Sequence, residues 1–198
     1  MEKKTLPCRN NIMNEKEWTE KICDILNNYF KENKVSFHAC TQKKLPYAKE
    51  IHSFDQNWTP TNSDEIKFET DLFIYEEIKD IFIPRIVIES KFKNISTHDA
   101  ITYSAKATEH KSIMPFLRYG IMIGNIKDEA LPWRLFNHGE NFDFMYCFKG
   151  EEVLENEKKE FTELITSEIE ESKKLEKLLG TKGSKAGIHL LEKKLDLK

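Results

Sequence analysis

The chain has 198 residues, a length typical of one folded domain with an appended helix. Apolar residues make up 39% of it and charged residues 33%, a mixture that supports a hydrophobic core and argues against disorder. The formal net charge of −3 excludes a histone-like wrapper of DNA and a polybasic membrane binder, so any contact with nucleic acid has to come from a local basic patch.

The sequence predicts a cytoplasmic protein. Its longest apolar runs, at 81–88 and 119–124, have the length of strands and fall short of the roughly 18 residues of a membrane span. The opening MEKKTLP lacks the apolar segment of a secretory signal. The cysteines form no CxxC pair, which predicts ordinary thiols and no structural zinc: Cys8, Cys23, Cys40 and Cys147.

The first third of the chain predicts a helix followed by a short strand. Apolar residues recur at helical spacing over 14–32, after an Asn-x-x-Glu start signal. Residues 35–41 form a short segment of β-prone residues, which predicts a strand. A polar stretch with two prolines follows over 42–64, and its Phe54 and Trp58 predict that it packs against another part of the protein.

The next segments alternate with the period of two that is typical of strands. Two strands are predicted, at 66–75 and 81–93, with a charged turn between them. Alternation places four residues of the first strand on one face: Phe68, Thr70, Leu72 and Ile74. The other face carries the remaining three: Asp71, Phe73 and Tyr75.

A helix and two further strands follow. The helix is predicted at 95–114, with Ser96 and Asp99 as its capping pair. The strands are predicted at 118–125 and 143–148. One face of the helix is small and is expected to pack on the sheet: Ile101, Ser104, Ala105 and Thr108. The stretch between the two strands is interpreted either as a hairpin that covers the sheet or as a segment that reaches a DNA groove.

The chain closes with a long charged helix over about 151–179. The order of elements predicts an α/β fold with a mixed sheet. We expect one domain over 1–150 and a helical tail over 151–198, which packs either on the core or on a second subunit. The tail carries a narrow apolar seam: Phe161, Leu164, Ile165, Ile169, Ser172, Leu175 and Leu179.

Charged residues occupy unusual positions in the predicted strands. Asp71 lies within one strand, and Glu89 and Lys91 lie near the end of the most hydrophobic one, although a pleated strand rarely solvates a charge. Glu89 and Lys91 share a face, and Asp71 converges on Glu89 if the strands are neighbours. Two carboxylates form an oxygen-rich site for Mg²⁺, and an adjacent ammonium can orient or help deprotonate water and offset charge on a phosphate.

This arrangement resembles the PD-(D/E)xK nuclease superfamily. The matching residues are Thr70-Asp71 and Glu89-Ser90-Lys91, and the order of elements matches over residues 14–125. Thr70 stands where the superfamily usually has proline. The resemblance implies a restriction-endonuclease-like core, α-β-β-β-α-β, with a mixed central sheet flanked by helices and, here, a C-terminal charged helix.

The resemblance also implies roles for individual residues. Some members of the superfamily add an acid from the first helix, for which Glu17 and Glu20 are candidates. The implied roles are Asp71 and Glu89 as Mg²⁺ ligands, Ser90 as a ligand through its backbone carbonyl, and Lys91 as the catalytic lysine.

Cations outnumber acids between Arg85 and Tyr119, as suits contact with a phosphodiester backbone. Ordinary solvated charge is the alternative interpretation for Lys106 and Lys111. Neither the histidines nor the glycines add a motif, because the histidines lack metal-ligand spacing and GTKGSK lacks the spacing of a phosphate loop. The predicted DNA contacts are Lys93, Lys106, Lys111 and Arg118.

The function implied by the resemblance is that of a Mg²⁺-dependent endonuclease that leaves 5′-phosphate and 3′-hydroxyl ends. A compact chain without further domains looks most like a type II restriction endonuclease, which cuts double-stranded DNA as a homodimer. Two alternatives stay open. One is a structure-selective repair or recombination nuclease, and the other is a non-catalytic DNA-binding or interaction protein on a nuclease fold.

Overall fold

The computed structural model describes residues 13–126 and 131–180; Cys8 and the predicted tail beyond residue 180 lie outside these ranges. None of the helices in these ranges is long and apolar enough to cross a membrane. The elements, in chain order, are α1 (Glu15–Glu32), β1 (Phe37–Phe54), β2 (Pro60–Ile78), β3 (Ile81–Phe92), α2 (Thr97–Ile113), β4 (Arg118–Gly124), α3 (Trp133–His138), β5 (Phe144–Cys147) and α4 (Glu155–Gly180).

The predicted α/β class and mixed sheet are confirmed. The five strands lie in the order β1-β2-β3-β4-β5. The first three run antiparallel, and β4 and β5 then run parallel to β3. The parallel pairing of β3 with β4 needs a crossover connection, which α2 provides.

Helices cover both faces of the sheet. On one face Trp18 and Leu26 of α1 share an apolar cluster with Phe161 of α4. On the other face Ala107 of α2 shares a second cluster with Val87 of β3. Because both faces are covered, β3 and β4 are buried along most of their length, as the apolar runs of their sequences predict.

Both predicted helix starts are confirmed. The Asn14 side chain accepts a hydrogen bond from the backbone of Glu17, and the Glu17 side chain accepts one from Asn14. Ser96 and Asp99 form the same reciprocal pair at the start of α2. These capping boxes stabilise each helix end from within four residues, which explains why the sequence alone locates them.

β1 and β2 form a much longer hairpin than the sequence predicts. Residues 46–67, here called the arm, stay paired far beyond the point where β2 leaves β3, with register shifts at three places along β1. At the tip, Asp55 accepts hydrogen bonds from the backbones of Asn57 and Thr59, each at 2.8 Å. Phe54 and Trp58 contact each other there, 5.8 Å between ring centroids, and remain 48% and 80% exposed. The expectation that the stretch packs is therefore wrong for its tip, whereas Leu45 near its start lies in the cluster of Val87.

The alternation predicted for β2 breaks at its middle. In the register with β1, Gln42 stands opposite Asp71, and Gln42 has a φ of 55° in the left-handed region. Leu72 packs on the α1 face as predicted. Phe68 instead packs against His110 of α2, on the opposite face, with 5.8 Å between ring centroids. The irregular backbone at Gln42 thus turns the hairpin, and the prediction that Phe68 shares a face with Leu72 is wrong.

The sheet-facing side of α2 also differs from the prediction. Its buried residues are Ala100, Ser104, Ala107 and His110. Of the predicted face only Ser104 is among them, and Ile101 is 50% exposed. The sheet below already presents large side chains, so the closest positions of the helix take small residues at a spacing of three to four.

The described part of the segment between β4 and β5 contains a short helix, α3, and no hairpin, so the hairpin interpretation is wrong. Leu135 of α3 is buried. The Arg134 guanidinium donates to the carbonyl oxygen of Ile95 at 2.6 Å, which ties α3 to the start of α2. Trp133 is 74% exposed.

The seam of α4 packs on the core of its own chain. Phe161, Ile165 and Ile169 are at most 1% exposed and lie in the same cluster as Trp18. Leu179, at the far end of the seam, is 50% exposed. Of the two predicted partners for this helix, the structure shows the intramolecular one.

Candidate active site

The structure brings Asp71 and Glu89 together at the point where β2 and β3 separate. The last paired residues are Leu72 and Ile88, so the two acids are each one step beyond them on neighbouring strands. Asp71 Oδ2 accepts a hydrogen bond from the backbone N–H of Ser90 at 2.8 Å. The two carboxyl groups are near enough for the charge of Asp71 to act on Glu89.

Glu89 is a buried carboxylate with one satisfied oxygen. Its side chain is 1% exposed. Oε1 accepts a hydrogen bond from the Tyr119 hydroxyl at 2.5 Å and lies 3.6 Å from the ammonium of Lys106. Oε2 is buried and has no hydrogen-bond partner within the described part of the chain. Burial, and then the neighbouring charge of Asp71, raise the pKa of Glu89 to about 7.

Lys91 lies on the same face of β3 as Glu89 and is held by three groups. Its Nζ is 3.2 Å from Glu15 Oε1, 3.9 Å from Asp99 Oδ1 and 5.2 Å from the centre of the Tyr103 ring. Burial alone would lower the pKa of Lys91, but Tyr103 and Glu15 outweigh burial and hold the pKa above its usual range. Lys91 is therefore an ammonium at neutral pH.

The acid that α1 contributes is Glu15, which the sequence analysis did not name. Thr19 lies one turn further along α1 and donates a hydrogen bond to Ser90 Oγ at 2.8 Å, which fixes this face of the helix on β3. Glu17 is engaged in the capping box. Glu20 is 51% exposed and lies 3.9 Å from Lys16. The packing of α1 on β3 determines which of these acids reaches Lys91. No local signal in the sequence indicates which one it is.

The predicted DNA contacts fall into two groups. Lys93 is exposed, with its ammonium 5.3 Å from the centre of the Phe92 ring, and Lys106 lies beside Glu89. Lys111 is 2.7 Å from Asp143. Arg118 is 2.6 Å from Glu168.

The predicted basic patch is therefore divided by internal ion pairs. Lys111 and Arg118 are bound to acids of the fold, and their side chains are 26% and 13% exposed. Arg85 is 2% exposed and pairs with Glu76 and Glu176. These cations stabilise the packing of strands and α4, and they contribute little positive charge to the surface beside Glu89.

The donor set at Asp71 and Glu89 fits a hard divalent cation. In the described ranges no group of three or more His, Cys, Asp and Glu side chains is placed to hold a metal ion. Mg²⁺ does not need such a group, because it is usually held by one or two carboxylates and keeps several waters. A buried carboxylate oxygen without a partner, beside a second carboxylate, is the oxygen that a cation would satisfy.

His110 lies in the core rather than in a metal site. It is 0% exposed, and its ring stacks on Tyr119 at 5.6 Å. Nε2 is 3.4 Å from the carbonyl oxygen of Leu45. Burial lowers the pKa of His110, so the ring is neutral at neutral pH.

Glu89→Gln is expected to stabilise the metal-free protein at pH 8 but not at pH 4. The pKa of Glu89 rises on folding from an ordinary 4.5 to about 7, so the folded state holds this proton more tightly than the unfolded state. Ionisation of Glu89 therefore lowers the free energy of unfolding as pH rises through this window, by a total on the order of 3 kcal/mol. Thermal unfolding in a chelating buffer from pH 4 to 8 measures the difference between the variant and the wild type.

The matched control for this experiment is Glu20→Gln, because Glu20 is exposed. Its effect on the unfolding temperature should be small, because an exposed side chain contributes little to folding. A constant difference between Glu89→Gln and the wild type across the range would contradict the assignment of a raised pKa to Glu89.

Comparisons with known proteins give a likeness in structure and none in sequence. No protein-family model matches the sequence, and no curated protein matches it. Among solved structures, the chain is similar to the restriction endonuclease BsaWI in a pre-specific complex with DNA. The two chains are 12% identical with a TM-score of 0.44. The likeness covers 79% of this chain and 61% of that one.

Proposed function

We propose that this chain is a Mg²⁺-dependent DNA endonuclease of the PD-(D/E)xK type. The observation that carries the proposal is the pair Asp71 and Glu89. Glu89 has a buried oxygen without a partner among the described residues, and the ammonium of Lys91 lies on the same face of β3. The Glu89 carboxylate opposes folding, since its burial and the neighbouring charge of Asp71 both disfavour its ionised form. A functional use for the pair explains why it is present.

Asp71 and Glu89 would hold the Mg²⁺ ion, and the backbone carbonyl of Ser90 would complete the protein ligands. Mg²⁺ supplies Lewis acidity toward the phosphate and lowers the pKa of water at the site. Asp71 is itself fixed by the hydrogen bond from Ser90 N–H, so the carboxylates are pre-organised in the metal-free protein.

Lys91 acts in this proposal as a fixed positive charge. As an ammonium it cannot accept a proton from water, but it offsets the negative charge that grows on the phosphate during attack. Glu15 and Tyr103 hold the ammonium in place. Of the roles that the sequence leaves open for Lys91, we therefore propose orienting the water and offsetting charge on the phosphate.

Double-stranded DNA is the proposed substrate, cut to 5′-phosphate and 3′-hydroxyl ends by a homodimer of the type II restriction class. Lys93 is exposed and is the first candidate for a phosphate contact. Lys106 would reach DNA beside the cation. Lys111 and Arg118 would have to leave Asp143 and Glu168 before they contact a phosphate.

Incubation of the purified protein with mixed plasmid DNA and Mg²⁺ tests the proposal. Discrete fragments that disappear with a chelator are expected for a sequence-specific endonuclease. Preference for branched or flapped DNA over any duplex sequence would favour a structure-selective nuclease instead. Binding of DNA without cutting in any divalent cation would favour a non-catalytic protein and contradict the proposal.

A further inference from the structure

The two oxygens of the Glu89 carboxylate differ in their hydrogen bonding. Oε1 is fixed by the Tyr119 hydroxyl, whereas Oε2 is buried and has no partner in the described part of the chain. If the contact with Tyr119 served only to satisfy a buried acid, the second oxygen would be expected to have a partner too, because nearly all buried polar atoms have one. The asymmetry indicates that the site is built around Oε2.

We propose that Tyr119 is a positioning residue that fixes Oε1 of Glu89 and thereby presents Oε2 to the divalent cation. This inference rests on the proposed function, because it deepens the same site. Tyr119 does not touch the cation or the substrate and acts through Glu89. The hydrogen bond orients the carboxylate in the way that outer partners orient metal ligands in known metal sites.

The fold fixes Tyr119 from every side. On β4 it pairs with Val87 of β3, two residues before Glu89, so the phenol lies on the same face as the carboxylate. Its backbone N–H donates to Asp143 Oδ2 at 2.7 Å. Its ring lies between the rings of His110 and Phe142, at 5.6 Å and 6.4 Å between centroids. The hydroxyl therefore has one position, and that position determines the position of Glu89.

Lys106 gives Oε1 a second, weaker contact. Its ammonium is 3.6 Å from that oxygen and lies between the rings of Phe68 and Tyr103, at 5.4 Å and 5.1 Å from their centres. Both contacts thus fall on the same oxygen of Glu89. They leave the other oxygen for the cation.

Tyr119→Phe tests the proposal, because it removes only the hydroxyl and keeps the ring. We expect Mn²⁺ binding, measured by calorimetry on the DNA-free protein, to weaken by about 10-fold or more. The Mg²⁺ concentration for half-maximal cleavage should rise by a similar factor, and DNA binding without metal should stay unchanged. Tyr146→Phe is the matched control, since that hydroxyl contacts Glu157 and Glu160 on the other face.

The outcomes separate this inference from the proposed function. Wild-type Mn²⁺ affinity in a folded Tyr119→Phe protein would overturn the positioning role and leave the proposed function standing. Failure of the wild-type protein to bind Mn²⁺ or to cut DNA would overturn both. A lower unfolding temperature for Tyr119→Phe with unchanged Mn²⁺ affinity would assign the hydroxyl a structural role only, and would also overturn the inference.

Discussion

Alanine at Asp71 or at Glu89 is expected to abolish Mg²⁺-dependent cleavage and to leave the protein folded and able to bind DNA. Each substitution removes one of two carboxylate ligands, and the loss should be at least about 1,000-fold in rate, since a bound cation contributes several kcal/mol to such transition states. Folding should survive, because each substitution also relieves the repulsion within a buried pair. Plasmid cleavage and a gel-shift assay in chelator measure the two properties.

Glu65→Ala is the matched control, because Glu65 lies on the same strand as Asp71 with a side chain that is 57% exposed and pairs with Lys67. It should cut DNA at the wild-type rate. Cleavage near the wild-type rate by Asp71→Ala or Glu89→Ala would remove these residues from the site.

Lys91→Ala is expected to lower turnover by more than about 10-fold, with little change in DNA affinity. Lys91 is largely buried and fixed by Glu15 and Tyr103, so its charge acts at one position. Lys93, two residues further along the chain, is exposed. Lys93→Ala should therefore weaken DNA binding, most clearly at raised salt, and leave turnover of bound DNA nearly unchanged.

Single-turnover kinetics with saturating protein separate the two effects. Equal losses of turnover in Lys91→Ala and Lys93→Ala would indicate a general basic patch and would contradict a catalytic role for Lys91. A loss of affinity confined to Lys91→Ala would contradict it as well.

Features set by a few neighbouring residues were predicted from the sequence. Ser96 and Asp99 mark the start of α2 because both halves of the capping box lie within one turn. Glu89 and Lys91 share a face because β3 is regular there and its side chains alternate. The α/β class follows from the order of such segments.

Features set by distant contacts were not predicted. The length of the arm depends on pairing between strands whose polar sequences carry no alternation. The switch of Phe68 to the α2 face depends on the backbone of Gln42, which is not a glycine and gives no signal.

The candidate site divides in the same way. Asp71 and Glu89 were predicted as a pair because charge within an apolar strand is conspicuous. Tyr119 was missed, since a tyrosine in an apolar strand is ordinary and its contact with Glu89 depends on the parallel register of β3 and β4. Glu15 was missed because its contact with Lys91 depends on how α1 packs on β3, which the sequence does not indicate.

Asp71 lies where the sheet divides. On one side of it β2 pairs with both β1 and β3, and on the other side β2 pairs with β1 alone and continues into the arm. The backbone N–H of Ser90 is the group that ties Asp71 to β3 beyond the last paired residues. The strand that supplies this carboxylate to the proposed metal site therefore also carries the hairpin whose tip exposes Trp58.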